Sequence, residues 1–216
     1  MSPRNKHPEE TVQKILDVSL QLFLEKGYDR TSVLDIVQNL GGLTRGAFYH
    51  HFKSKEAVLA ALAERLFSNT QNPFEKVKKE TDLNGLQKIQ KMMKYIFAND
   101  EQQEVHSIFL TIPLLNNPTF LVELIENNIL SLGPAVQILI EEGLADGSIQ
   151  PNHAKFLSEV FILVSNFWMI PSIYPISKQE FMEKVYFSKK LFENIGFPVF
   201  DDEMIEGFEK LSDKML

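Results

Sequence analysis

Residues 31–52 read TSVLDIVQNLGGLTRGAFYHHF. Two short helical patterns flank Gly41-Gly42 in this stretch. In the first, Ser32 stands just before the apolar positions, with Asp35 three residues on, a capping-box-like pair. Val33, Ile36, Val37 and Leu40 then turn inward. In the second, Thr44 is a good N-cap, and Phe48 and Phe52, four apart, face inward as anchors. A glycine turn lets two short helices cross steeply, as in the helix-turn-helix. The second helix then projects outward, with its first residues open to base edges in a major groove.

Helical periodicity continues on both sides. Upstream, a helix is expected over Pro8–Lys26, with Val12, Ile15, Leu16, Ser19, Leu22 and Phe23 on one face and Gly27 as its stop. Downstream, Ser54 caps a helix carrying Val58, Leu59, Leu62, Leu66 and Phe67, with Glu56 in its first turn. Asn69–Pro73 reads as a seam between domains at 1–68 and 69–216. Beyond it, helices are expected over Phe74–Thr81, Leu83–Asn99, Gln102–Leu115, Pro118–Ala145, Pro151–Ile170 and Lys178–Ile195, with a tail helix near Asp202–Lys214. Gly133-Pro134 is expected to kink or split the fourth of these. Strand alternation never runs long, so the fold class is all-α.

The chemistry at the second short helix suits nucleic acid. Arg45 can donate bidentately to guanine O6 and N7. Gly46 and Ala47 are small enough for close backbone approach, and Tyr49 and His50 are polar aromatics one turn on. Lys53 and Lys55 bracket the next helix start, where free N–H groups and the dipole favour a phosphate oxygen.

The block LFLEKGYDRTSVLDIV followed by LTRGAFYHHFKSKEAVLAAL resembles the N-terminal DNA-binding region of the tetracycline-repressor family of bacterial regulators. The resemblance covers roughly residues 10–65; Phe23, Gly27, Tyr28, Thr31, Ile36, Gly41 or Gly42, Thr44, Gly46, Tyr49, His51, Phe52, Lys55 and Glu56 follow the family pattern in order. TRGAFYHHFKSK is especially similar to repressors of multidrug efflux. One residue more than usual separates Ile36 from Tyr49, most simply at Gly41-Gly42, and Val37 replaces a usual alanine; a slightly different docking tilt is expected. The resemblance implies that Ser32 touches a phosphate, Thr44 caps the recognition helix and meets backbone, and Arg45 reads a base. Tyr49 would donate to a phosphate, His50 would reach phosphate or base, and Lys55 would hold a phosphate.

Composition bounds the alternatives. The chain has 216 residues and a formal net charge of -7. Residues 1–68 carry nine Lys/Arg and eight Asp/Glu, so the acidity belongs to the remainder. No cysteine is present, which excludes disulfides, thiolate metal sites and a cysteine nucleophile. Met1–Glu10 has no apolar core, and Phe156–Ile170 is too short and interrupted to span a membrane, so a cytoplasmic protein with no membrane partner is expected. No metal-ligand spacing, P-loop, GxGxxG, GxSxG or HExxH occurs, so neither a cofactor nor an enzymatic activity is expected.

For the second domain the resemblance implies homodimerisation and binding of a small effector, with recognition helices about 34–36 Å apart on a palindromic duplex. Phe156, Val160, Leu163, Val164 and Phe167 form one stripe, and Phe181, Val185, Lys189 and Phe192 another; both are open to a dimer interface or to burial within the subunit. Met93, Phe97, Phe109, Trp168 and Met169 read either as plain core or as an adaptable pocket for an apolar or aromatic effector. His106, Asn166 and Tyr174 are polar groups in apolar surroundings, suited to orienting such a ligand or simply hydrogen-bonded in place. The leading expectation is a ligand-responsive DNA-binding repressor. The rival is a helical small-molecule-binding dimer or adaptor with impaired DNA binding.

Overall fold

The computed structural model describes residues 8–69, 73–95, 118–150 and 153–213. Among them every regular element is helical. The chain divides into two compact units, Met1–Phe67 and Ser68–Leu216.

The first unit holds α1 (Pro8–Lys26), α2 (Val33–Asn39), α3 (Arg45–His51) and most of α4 (Lys55–Asn69). Ile15, Leu16, Leu22 and Phe23 of α1 are buried, as are Ile36, Leu40, Phe48, Phe52, Val58, Leu59 and Leu62. The three-residue and four-residue spacings of these side chains explain why each helix has one dry face. Thr31 donates its hydroxyl to the carbonyls of Leu22 and Gly27, tying the α1–α2 connection to the end of α1. Arg65 of α4 pairs with Asp17 of α1 at 2.5 Å.

The second unit holds α5 (Pro73–Lys78), α6 (Gly85–Lys94), α7 (Pro118–Asn127), α8 (Gly133–Asp146), α9 (Ala154–Leu163), α10 (Lys178–Asn194) and α11 (Asp202–Ser212). Helix α8 lies at its centre, with α6 and α9 packed on it. The core is rich in phenylalanine. Phe161 meets Phe192 and Phe197 edge-on at 5.5 Å each, and Phe192 stacks on Phe200 at 5.9 Å. Local capping starts the helices: Asn84 with Gln87 before α6 and Ser177 with Glu180 before α10 form complete capping boxes.

The first turn of α6 rests directly on the last turns of α8. A Cβ added at Gly85 would lie 2.1 Å from the Gly143 nitrogen and 2.6 Å from the Leu139 carbonyl oxygen. Only glycine permits that approach. The Gly85 N–H donates to Asp146 at 2.7 Å and the Leu86 N–H to the Ser148 hydroxyl at 3.2 Å, so α8's end also caps α6's start.

The expected split at Gly133-Pro134 takes the form of a π-helical turn, Asn128–Leu132, in which the Gly133 N–H reaches back five residues to Asn128. A matching turn, Val164–Trp168, precedes Pro171, with the Met169 N–H bonded to the Val164 carbonyl at 3.0 Å. Each lies just upstream of a proline, whose missing N–H frees a carbonyl in the preceding turn. Of the two readings left open for the α10 stripe, burial is the one found: Phe181, Val185 and Phe192 are at most 1% exposed, inside the subunit. Lys189 of the same stripe is paired with Asp202 at 2.9 Å. The expected Gln102–Leu115 helix lies outside the described residues.

Candidate nucleic-acid interface

Helix α2 is fixed at its start by Ser32 and Asp35. The Asp35 N–H donates to the Ser32 hydroxyl at 3.1 Å, and the Ser32 N–H donates to the Asp35 carboxylate at 2.8 Å. The Ser32 hydroxyl also donates to that carboxylate, and Lys26 pairs with it at 3.0 Å. These contacts, the serine's first, hold the Asp35 carboxyl well below its ordinary value.

The turn that follows needs both glycines. Gly41 and Gly42 have φ of 60° and 103°, and the second lies beyond the left-handed region that other residues visit. Lys14 of α1 reaches this turn, its ammonium 3.7 Å from where a Gly41 Cβ would stand. Sequence reading passed over that cation because α1 was read only for its apolar stripe.

The recognition helix candidate, α3, starts on Thr44, whose hydroxyl accepts the Ala47 N–H at 3.2 Å. Phe48 is fully buried and Phe52 nearly so, their rings 6.2 Å apart. This anchor turns Thr44, Arg45, Gly46, Tyr49 and His50 to the exposed side, with Lys53 also exposed just beyond. Helix α3 contains no acidic residue. The result is a short helix with its N-terminus, one arginine and two polar aromatics facing outward, which suits a phosphate-lined groove.

Two expected phosphate contacts already hold internal partners. The Lys55 ammonium donates to the Tyr28 carbonyl at 2.7 Å and lies 4.0 Å from the centroid of the Tyr28 ring. The Ser32 hydroxyl is engaged with Asp35. Tyr28 itself stacks edge-on with Phe23 at 5.0 Å, and burial, with Glu56 beside it, pushes its phenol well up from the ordinary value.

Gly46 is not required by packing. An added Cβ would meet only the Thr44 hydroxyl, at 3.8 Å. Alanine is the better helix former by about 1 kcal/mol. Gly46→Ala should therefore stabilise the first unit by roughly 0.5–1 kcal/mol in urea titrations while weakening duplex binding by crowding the groove. A variant that is stabilised and binds as well as wild type would show that close approach does not occur at this residue.

Of the candidate effector residues of the second unit, Met93, Asn166, Trp168, Met169 and Tyr174 lie among the described residues. Trp168 and Tyr174 meet through Lys184, whose ammonium lies 4.7 and 4.8 Å from their ring centroids and donates to the Trp168 carbonyl at 2.9 Å. Desolvation there lowers the Lys184 pKa from its ordinary value. Trp168, Ile176, Glu180, Glu183, Lys184 and Phe187 border an open groove of about 350 Å³. Asn166 donates its amide to the buried Asn128 at 2.6 Å, joining the two π-helical turns. Met169 is core, 3% exposed, with the Ser188 hydroxyl 3.8 Å from its sulfur. Met93 packs partly buried against the same core. Phe97, His106 and Phe109 lie outside the described residues. Among the described residues no cluster of three acidic or histidine side chains is placed to hold a metal, and no helix is long and apolar enough to cross a membrane.

This arrangement has counterparts. Residues 15–62 match the family described as bacterial regulatory proteins, tetR family. Residues 15–62 are thus a helix-turn-helix region of the tetR family. That family consists of regulators and not of enzymes. Over 108 residues the chain is 33% identical to an uncharacterized HTH-type transcriptional regulator, YerO, of Bacillus subtilis, a match covering 50% of this chain and 36% of that protein. Over 61 residues it is 44% identical to the HTH-type transcriptional regulator AcrR of Shigella flexneri, covering 28% of each. The matches thus span about a third of the length of these relatives. The fold extends further. Salmonella enterica GusR superposes with a TM-score of 0.63 at 16% identity, covering 89% of this chain and 98% of its own. A tetR-family transcriptional regulator from Agrobacterium tumefaciens gives 0.63 at 18% identity, covering 88% and 99%. The similarity of the second unit to known regulators is therefore one of helical fold with little sequence in common.

Proposed function

We propose that the protein is a cytoplasmic, ligand-responsive transcriptional repressor. As a homodimer it binds a palindromic DNA operator and leaves it when an apolar or aromatic small molecule occupies the second unit. The observation that carries the DNA reading is the outward face of α3: Thr44, Arg45, Gly46, Tyr49 and His50 exposed over a buried Phe48 anchor, with Lys53 alongside. Arg45 reads a base edge, Thr44, Tyr49 and Lys53 meet phosphate or backbone, and His50 reaches either. Ser32 and Lys55 contribute less, because each would first release its internal partner.

Binding to duplex DNA from beside the gene, followed by fluorescence anisotropy at two salt concentrations against a random duplex, tests this. Tight, sequence-selective and salt-sensitive binding is expected. Arg45→Ala should lose roughly 1–3 kcal/mol and relax preference at one base pair. Equal affinity for random and selected duplexes would reject the reading in favour of a ligand-binding dimer with an incompetent head.

Dimerisation is supported by an apolar face left on α9 and α10. Phe156, Val160 and Leu163 are 58%, 43% and 57% exposed, and Phe187 is 59% exposed. Such side chains suit the core of an interface between two copies. Leu163→Glu should give a monomer in sedimentation velocity and weaken operator binding by roughly tenfold or more, since the second half-site contact is no longer intramolecular. An unchanged dimer would move the interface elsewhere.

Release follows if the effector binds the DNA-competent state less well than the other state. A coupling of about 1–3 kcal/mol corresponds to about 5–150-fold weaker operator affinity.

A further inference from the structure

The Arg45 guanidinium lies over the Tyr49 ring, 5.7 Å from its centroid. The two residues are one helical turn apart, and helical side chains lean toward the N-terminus, so the ring at 49 reaches back to the side chain at 45. Among the described residues Arg45 enters no ion pair that would draw it away. The Tyr49 ring is itself held. It meets Phe48 edge-on at 5.4 Å and 88°, and Phe48 is fully buried. The order therefore runs from buried anchor to exposed ring to guanidinium. An unrestrained arginine gives up rotamer freedom when it makes a bidentate contact, and a guanidinium already resting on a ring has less to give up.

We propose that Tyr49 is a positioning residue for Arg45: its ring holds the guanidinium in the orientation that reads a base edge, so Tyr49 sets sequence preference through Arg45. The ligand chemistry concerned is the paired acceptor edge of a purine in the major groove. This rests on the DNA-binding reading above. It also divides two roles within one side chain. The hydroxyl serves affinity at a phosphate, and the ring serves selectivity.

Random-duplex selection with the wild-type protein, followed by the same selection with Arg45→Ala, locates the base pair that Arg45 reads. Affinities for duplexes varied at that pair are then measured for Tyr49→Ala, Tyr49→Phe and the Arg45→Ala/Tyr49→Ala double variant, with helical content checked by circular dichroism. Tyr49→Ala should lower discrimination at that pair by about two- to fivefold, the range a surface cation–ring contact supports. Tyr49→Phe should bind all duplexes more weakly yet keep the preference. The double variant should discriminate no less than Arg45→Ala alone. A Tyr49→Ala protein that keeps its preference while losing affinity uniformly would overturn the proposal, leaving Tyr49 as a phosphate contact only. So would a Tyr49→Phe protein that loses preference as fully as Tyr49→Ala. Failure of the wild-type protein to select any sequence would overturn the DNA-binding reading and this inference with it, and is distinguished by occurring before any substitution is made.

Discussion

Gly85→Ala should markedly destabilise the second unit, lowering the urea midpoint of its tryptophan fluorescence transition. Trp168 is the only tryptophan in the chain and lies in this unit, so it reports on that unit alone. Two effects oppose each other. Alanine improves helix propensity by at most about 1 kcal/mol. Against it, the new methyl would stand 2.1 Å from the Gly143 nitrogen and 2.5 Å from its Cα. These are backbone atoms, which cannot rotate aside as a side chain can. Parting α6 from α8 would also stretch the Gly85–Asp146 and Leu86–Ser148 hydrogen bonds and loosen Ile89 and Leu139, both fully buried. Overpacking of this kind costs typically 1–3 kcal/mol and here about 3 kcal/mol or more, since the obstacle is rigid. The overlap therefore wins. A midpoint equal to that of wild type would mean that the two helices separate freely and that their close approach contributes little.

Phe48→Ala should act on the other unit. Removing a fully buried phenylalanine costs about 3–5 kcal/mol. A unit of this size is stable by roughly 0.05–0.15 kcal/mol per residue, or about 3–10 kcal/mol. The substitution thus takes most of the margin, and it also removes the surface that sets the pose of Tyr49. Expected results are a partial loss of helical circular dichroism at 37 °C, loss of operator binding by two decades or more, and an unchanged Trp168 transition. One merged transition, lowered as a whole, would contradict the assignment of Phe48 to a separately stabilised reading head. Together the pair of variants separates what keeps the second unit packed from what presents the recognition helix.

Much of the first unit was legible because its determinants are neighbours in the chain. Ser32 and Asp35 cap α2, Thr44 caps α3, and the double glycine between them supplies the positive φ values the turn requires. Phe48 and Phe52 fall on one side of a helix too short to have any other anchor. The outward set on α3 follows from that anchoring. The partners of Lys55 and Ser32 were not legible in the same way. Whether an ammonium faces solvent or settles on Tyr28, 27 residues away, depends on how α4's start comes back against the α1–α2 connection.

In the second unit, periodicity identifies helices but does not orient them. The α9 sequence AKFLSEVFIL is apolar on both sides, so the pattern cannot choose between Phe156, Val160 and Leu163, which are exposed, and Leu157, Phe161 and Ile162, which are buried. On α10 the choice went the other way, and Phe181, Val185 and Phe192 point inward. Sequence by itself determined the all-helical class, the caps and turn of the reading head, and which residues of α3 could face a partner, because each is set by contacts within a few residues. Tertiary structure alone decided the Gly85–Gly143 contact, the Asn128–Asn166 bridge between two π-helical turns, the side of α9 left bare and the seat of Lys184 between Trp168 and Tyr174. Those depend on which distant helix arrives at a given face, and the packing of one helix on another is decided by steric fit and buried area summed over the whole unit.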